Sequence, residues 1–227
     1  MTLELSLDTA SDLASIALSR GGEVIAEKTW RCERNHTVEL LPAVERLFER
    51  AGETKDALTA VFVSIGPGMY TGLRVGIATS QGLARAAGLP LVGVGRLELD
   101  AYPHASFDGN IVAVHRAGRG ELAWAAYRGD PWREVTAPRL SKPAELAASV
   151  HERTLFCGEI DDALAALLRE TAPGLATIAE PSETGRATAL AALGHARLIA
   201  GGPHEPALVA PIYLRPPAIG PQPPAGG

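Results

Sequence analysis

The hydrophobic period of this chain alternates between two and three-to-four in a fixed order, and that order limits the possible folds more than any single motif does. Leu3 to Leu7, Ser15 to Ser19 and Val24 to Trp30 are short β-rich runs, the last two separated by Arg20, Gly21 and Gly22, so a hairpin or meander is expected first. From His36 to Ala51 the period lengthens. Leu40, Leu41, Val44, Leu47, Phe48 and Ala51 recur at three and four, opposite Glu45, Arg46, Glu49 and Arg50, which predicts an amphipathic helix closed by Gly52. Ala60 to Ser64 reads as a buried strand, Thr71 to Ala87 as a helix ended by Gly88 and Pro90, and Leu91 to Val94 as another strand. The unit is βββαβαβ. It recurs in the second half: strands Ile111 to Val114, Glu121 to Tyr127 and Trp132 to Val135, a helix Pro143 to His151, a strand Thr154 to Phe156, a helix Ile160 to Glu170 and a strand Leu175 to Ala179. One more helix, Arg186 to Ala200, follows.

A duplicated βββαβαβ unit predicts two mixed-sheet α/β domains of the ribonuclease-H-like kind with a cleft between them. The expected division is 1–103 and 104–215, with the helix 186–200 packing back on the first domain, and the Pro- and Gly-rich 216–227 as a flexible tail. At 227 residues and 46% hydrophobic, the chain has material for both cores. Its net charge of -5 gives no global basic footprint, so nucleic acid would need a local patch or a partner that holds it. Two cysteines are too few for a disulfide framework, no apolar run reaches membrane-spanning length, and the first residues read as a strand; a cytoplasmic, membrane-free protein is expected.

Proteins of this architecture that use ATP hold metal and phosphate with a carboxylate and glycine-rich turns from both domains. The corresponding parts here are weak. Asp8 ends the first strand in LDTASD, yet Thr9, Ala10, Ser11 and Asp12 supply no glycine for an anion to approach the backbone. Asp8 and Thr9 therefore read as a degenerate nucleotide cleft or simply as the residues that cap and turn the strand. VHRAGRGEL in the second half has no acid before Glu121, and Phe156-Cys157-Gly158-Glu159 offers one glycine followed by an acid. The loop SIGPGMYTGLR lacks the Lys-Ser or Lys-Thr of a Walker A loop, and Pro67 removes a donor from its centre, so it reads as a tight turn capped by Thr71. The helix after it is apolar on most sides, with Gly72, Gly76, Ser80 and Ala84 in a small-residue row at spacing four. Two coverings for its second side stay open: a partner, or the helix His36 to Ala51.

The run GPGMYTGLRVGIATSQGLARAAGLPLVGVGRLE, together with LDTAS, His36, Leu40-Leu41-Pro42, Arg119-Gly120-Glu121 and Tyr213-Leu214-Arg215, resembles the TsaB (YeaZ) family. Met69 and Tyr70 stand where the family more usually has Ser and Phe. The resemblance implies an actin/Hsp70-like (ASKHA) fold and a non-catalytic subunit. Such a subunit binds and activates a TsaD-type transferase that makes threonylcarbamoyladenosine in tRNA, and a TsaE-type ATPase completes the assembly. Transferred residue by residue, it implies a partner interface of His36, Leu40, Leu41, Val44, Leu47, Gly72, Leu73, Arg74, Gly76, Ile77, Ser80, Gln81 and Ala84, tRNA contact through the complex, and a homodimer when the partner is absent. It implies no catalytic residue, cofactor or metal, because Arg96 and Asp100 stand where the catalytic sibling has a metal-binding His-x-x-x-His segment, and a guanidinium stays protonated. The competing reading is a self-sufficient metal- or ATP-dependent transferase, or a glycoprotease-like peptidase, of the same fold.

Overall fold

The expected meander opens the computed structural model, which describes residues 2–32, 35–180 and 185–215. β1 (Leu3–Asp8) pairs antiparallel with β2 (Leu13–Arg20), and β2 with β3 (Glu23–Arg31) across a turn in which Gly21 and Gly22 take positive φ. α1 (His36–Ala51) leads to β4 (Leu58–Ser64), parallel to β1, and α2 (Tyr70–Ala87) leads to β5 (Leu91–Val94), parallel to β4. The sheet order is β3-β2-β1-β4-β5. Both helices end where a glycine goes left-handed, Gly52 at φ 67° and Gly88 at φ 65°, a conformation that costs other residues a Cβ clash.

After α3 (Arg96–Ala101) the pattern repeats. β6 (Asn110–Arg116), β7 (Leu122–Arg128) and β8 (Arg133–Ser141) are antiparallel; α4 (Pro143–Ala148) leads to β9 (Thr154–Gly158), and α5 (Asp162–Thr171) to β10 (Ala176–Ile178), both strands parallel to β6. The order β10-β9-β6-β7-β8 is the first sheet's order over again. α6 (Ala187–Ala200) closes the repeat, and a segment with a 3-10 turn at Pro206–Leu208 continues to Arg215.

Alternation along β1 shows how the first half is layered. Leu3, Leu5 and Leu7 join Leu40, Val44, Leu47, Val61, Val63 and Ile77 in one core under α1 and α2. On the other face Ala60, Phe62, Val92 and Val94 meet Leu190 and Leu193 of α6. Glu4 points to this second face, fully buried, and accepts from Ser19 Oγ (2.7 Å) and Gly22 N (3.0 Å) and meets His195 Nδ1 (2.7 Å), so both carboxyl oxygens have polar partners. In the second half α4 and α5 cover one face, and α3 packs Leu97 and Ala101 on Ile111, Ala113, Ala125 and Tyr127 of the other. Thus α3 and α6 lie between the sheets.

Several element ends shift by one to three residues, α4 for example stopping at Ala148 instead of His151, and two elements differ by more. β8 runs on to Ser141 instead of stopping at Val135; Pro138 is tolerated because β8 is an edge strand, where the missing N–H breaks no ladder bond. α3 was not anticipated as a helix at all. Among the described residues no helix is long and apolar enough to cross a membrane. The predicted tail 216–227 lies outside the described residues.

Candidate functional site

The cleft between the halves is bounded by the end of β1, α3, the end of β6, the turn after β9 and the residue preceding α6. Each contributes a charged group. Arg186 Nη1 lies 3.3 Å from Asp8 Oδ2 and 3.1 Å from Ser11 Oγ, while its Nε lies 2.5 Å from Asp100 Oδ1. Arg96, itself 2% exposed, sits 3.7 Å from Asp100 one helical turn away and donates to Glu159 Oε1 at 2.7 Å. His115 Nδ1 is 2.9 Å from both Arg96 Nη1 and Glu159 Oε2; it serves Glu159 as a donor or Arg96 as an acceptor, according to tautomer. Burial alone would raise the Glu159 pKa, but the His115 hydrogen bond and the Arg96 charge hold it well below the usual carboxylate range. Burial opposes the charged form of Arg186, yet Asp100 and Asp8 together carry its pKa above the ordinary arginine value.

A nucleotide and its metal bound between the halves would need uncommitted carboxylates and a turn open to phosphate. The residues do not fit that ligand. Two fixed guanidinium groups already neutralise the carboxylates, and the turn after Asp8 folds back on itself, with Ala10 N donating to Asp8 Oδ1 at 3.0 Å. The glycine loop, moreover, closes onto this turn. Met69 N donates to Ala10 O (2.8 Å), Thr9 Oγ1 donates to Gly72 O (2.7 Å), and a Cβ on Gly68 or Gly72 would lie 2.2 Å from the Ala10 or Thr9 carbonyl oxygen. The glycines let two backbones touch. Thr71 does not cap α2: the helix begins at Tyr70, and Met69 at the N-cap has no side-chain oxygen to offer.

The docking residues expected on the helix pair divide in two. His36, Leu40, Val44, Leu47, Gly72, Leu73, Gly76, Ile77, Ser80 and Ala84 are all buried within the chain itself, so in the isolated chain these ten pack internally. The small-residue row meets the chain's own Thr9 turn at its N-terminal end. A Cβ on Gly76 would lie 2.2 Å from Thr9 Oγ1, so the row admits the Thr9 turn. His36 Nε2 is 3.1 Å from Ser11 O, a helix-start contact. Gln81 donates to Pro206 O (2.9 Å) and Val209 O (3.0 Å), which holds the C-terminal segment against α2. Leu41 and Arg74 remain outside.

Sequence reasoning missed what accompanies them. Val38 is 72% exposed, Leu41 49% and Tyr70 49%. Tyr70 stacks on Tyr213 with centroids 5.7 Å apart, and the Arg74 guanidinium lies 4.1 Å from the Tyr70 ring centroid and donates to Tyr213 Oη at 3.3 Å. The Val38 signal was readable, since an aliphatic residue on the polar side of an amphipathic helix has no core to join.

Known proteins share this architecture. Residues 23–191 match the family model described as "TsaD: tRNA N6-adenosine threonylcarbamoyltransferase". The tRNA threonylcarbamoyladenosine biosynthesis protein TsaB of Escherichia coli is 35% identical over 154 residues, 66% of this chain and 64% of that protein. Its Bacillus subtilis counterpart is 35% identical over 124 residues, 55% of this chain and 54% of that protein, so the matched regions span between about half and two thirds of these relatives. YeaZ from Pseudomonas aeruginosa superposes with a TM-score of 0.78 at 26% identity, covering 94% of this chain and 100% of the other. A ROK hexokinase from Thermus thermophilus, TM-score 0.53 at 10% identity over 85% of this chain and 98% of that one, shares the fold alone. With two mixed sheets of one order, α3 and α6 between them, and these relatives, the chain has the actin/Hsp70-like fold and belongs to the TsaB (YeaZ) family.

Proposed function

We propose that this protein is a non-catalytic subunit that binds and activates a TsaD-type transferase in the threonylcarbamoylation of the adenosine next to the anticodon of tRNAs. A TsaE-type ATPase joins the assembly in the cytoplasm, and tRNA is reached through the complex. The observation that carries the non-catalytic part is the cleft: Arg96 and Arg186 pair with Asp8, Asp100 and Glu159, the carboxylates that a metal ion would need there. A self-sufficient transferase or peptidase of this fold would have to expel both guanidinium groups first. The docking face is the outward side of α1 and α2, marked by Val38, Leu41 and Tyr70. Without the transferase, the same face pairs with a second copy of this chain.

The test is co-purification with the TsaD-type protein, wild type against Val38→Glu and Leu41→Glu. Both side chains are exposed, so the variants fold and any loss is a loss at the interface; placing an unpaired carboxylate in a desolvated contact costs several kcal/mol, enough to abolish a micromolar complex. An unchanged complex with both variants refutes this docking face. Calorimetry of the isolated chain with ATP and magnesium tests the cleft separately: tight one-to-one binding contradicts the non-catalytic reading.

A further inference from the structure

Asp8 and Asp100 come from different elements, β1 and α3, and face each other across Arg186. Asp8 is fully buried and the Asp100 side chain is nine-tenths buried. Two carboxylates in such surroundings repel each other, and the Arg186 guanidinium stands between them. Three oxygens converge on that cation: Asp8 Oδ2, Asp100 Oδ1 and Ser11 Oγ, at 3.3, 2.5 and 3.1 Å from guanidinium nitrogens. Two carboxylates and a hydroxyl form the all-oxygen donor set that magnesium, manganese or calcium accepts. A further oxygen, Asp100 Oδ2, is buried and, among the described residues, makes no hydrogen bond, nor does Arg96 Nε, 3.7 Å away. The cleft thus presents a metal-type donor set with a side chain at its centre.

We infer that Arg186 is a resident cation standing in the place of a divalent metal ion, and that it ties β1 to α3 across the cleft without any ligand from solution. Unlike a metal, it cannot dissociate, and a guanidinium keeps its charge at every working pH. Arg186 reaches Asp8 over 178 positions of sequence and Asp100 over 86, so one side chain closes the first strand, the interdomain helix and the start of α6 into a unit. The inference concerns the cleft and stands independently of where the partner docks.

The experiment removes the resident cation and offers a free one. Arg186→Ala is titrated with MnCl2 and with MgCl2 by calorimetry and followed by thermal melting, beside wild type, Arg186→Lys and the double variant Arg186→Ala, Asp100→Asn. The expected result is a lowered melting temperature for Arg186→Ala that Mn2+ raises by roughly 5–10 °C at about 100 times its dissociation constant. Wild type and Arg186→Lys, which retain a cation, are unmoved, and Asp100→Asn cancels the rise. A folded Arg186→Ala that ignores both metals overturns the inference, as does a response that survives Asp100→Asn. If Arg186→Ala does not fold alone, it is refolded with Mn2+ or with ethylguanidinium, which refills the same space. Recovery with Mn2+ supports the inference; recovery with ethylguanidinium alone, or with neither, refutes it.

Discussion

Gly72→Ala separates the two meanings of the glycine row, a slot for the chain's own turn or a landing strip for a partner. At Gly72 the added Cβ would lie 2.2 Å from the Thr9 carbonyl oxygen, a backbone atom that no rotamer change moves. Relief requires α2 and the Asp8–Ala10 turn to separate, which strains the packing by about 1–3 kcal/mol. The Thr9 Oγ1 to Gly72 O hydrogen bond goes with it, a net loss of about 1 kcal/mol for a buried pair. Against this, alanine improves helix propensity by up to about 1 kcal/mol. The balance is a destabilisation of about 1–3 kcal/mol. Gly82, in the same helix, is the internal control: it is exposed and an added Cβ meets nothing within 4 Å, so Gly82→Ala retains the propensity gain and stabilises by about 0.5–1 kcal/mol. The two variants therefore move in opposite directions in urea unfolding of the isolated protein, read as midpoint shifts at unchanged slope. If Gly72→Ala matches Gly82→Ala in stability, the close approach to Thr9 is not what the glycine is for, and the row regains its claim to a partner.

Other outcomes follow from the same geometry. Trp132 stacks on Tyr127 (5.3 Å), meets Tyr102 edge-on (5.2 Å) and donates to Glu98 at 3.2 Å, joining both halves; Trp132→Ala should lower stability by about 2–4 kcal/mol and flatten the near-ultraviolet circular dichroism. Glu159 has its pKa depressed in the folded state, so its ion pairs contribute fully above the unfolded value of 4.5 and are lost as pH falls from there through the folded value. Stability measured from pH 7 to pH 3 should fall less steeply in Glu159→Gln than in wild type. Burial pushes the thiols of Cys32 and Cys157 above their ordinary pKa; neither should react with a disulfide reagent at pH 8 until denaturant exposes both.

The elements that were legible in the sequence are those whose signals are local. α1 and β5 fall on their predicted limits because a period of three and four, a terminal glycine and a short aliphatic run sit in adjacent residues. α3 was not legible. Its six residues, RLELDA, place Leu97 and Ala101 on one core and Leu99 on another, so no single apolar stripe exists, and Arg96, a charge, is among the most buried side chains in the chain. The cleft partners were invisible for a different reason: nothing within ten residues of Asp8 announces Arg186. The degenerate character of the Asp8 turn could be read from its missing glycines, but what fills the cleft is a tertiary fact.

Periodicity also overstates what a helix offers to others. α2 is apolar on most sides, which requires two coverings, and the sequence cannot say whose they are. Both turn out to be largely internal. The sheet, α1 and the Thr9 turn take Ile77, Gly72 and Gly76, and on the far side the C-terminal segment lays Val209 against the first core while Gln81 holds the carbonyls of Pro206 and Val209. What is left outside includes Tyr70, Arg74, Ala78 and Arg85 on α2 and Val38 and Leu41 on α1, apolar residues interspersed with charge. A carboxylate at Ile77, 5% exposed and packed in the first core, would therefore break the fold and any complex together, and says nothing about docking. Val38 and Leu41 separate the two: substitution there leaves the core intact, so a lost complex with an unchanged melting temperature is evidence about the interface alone.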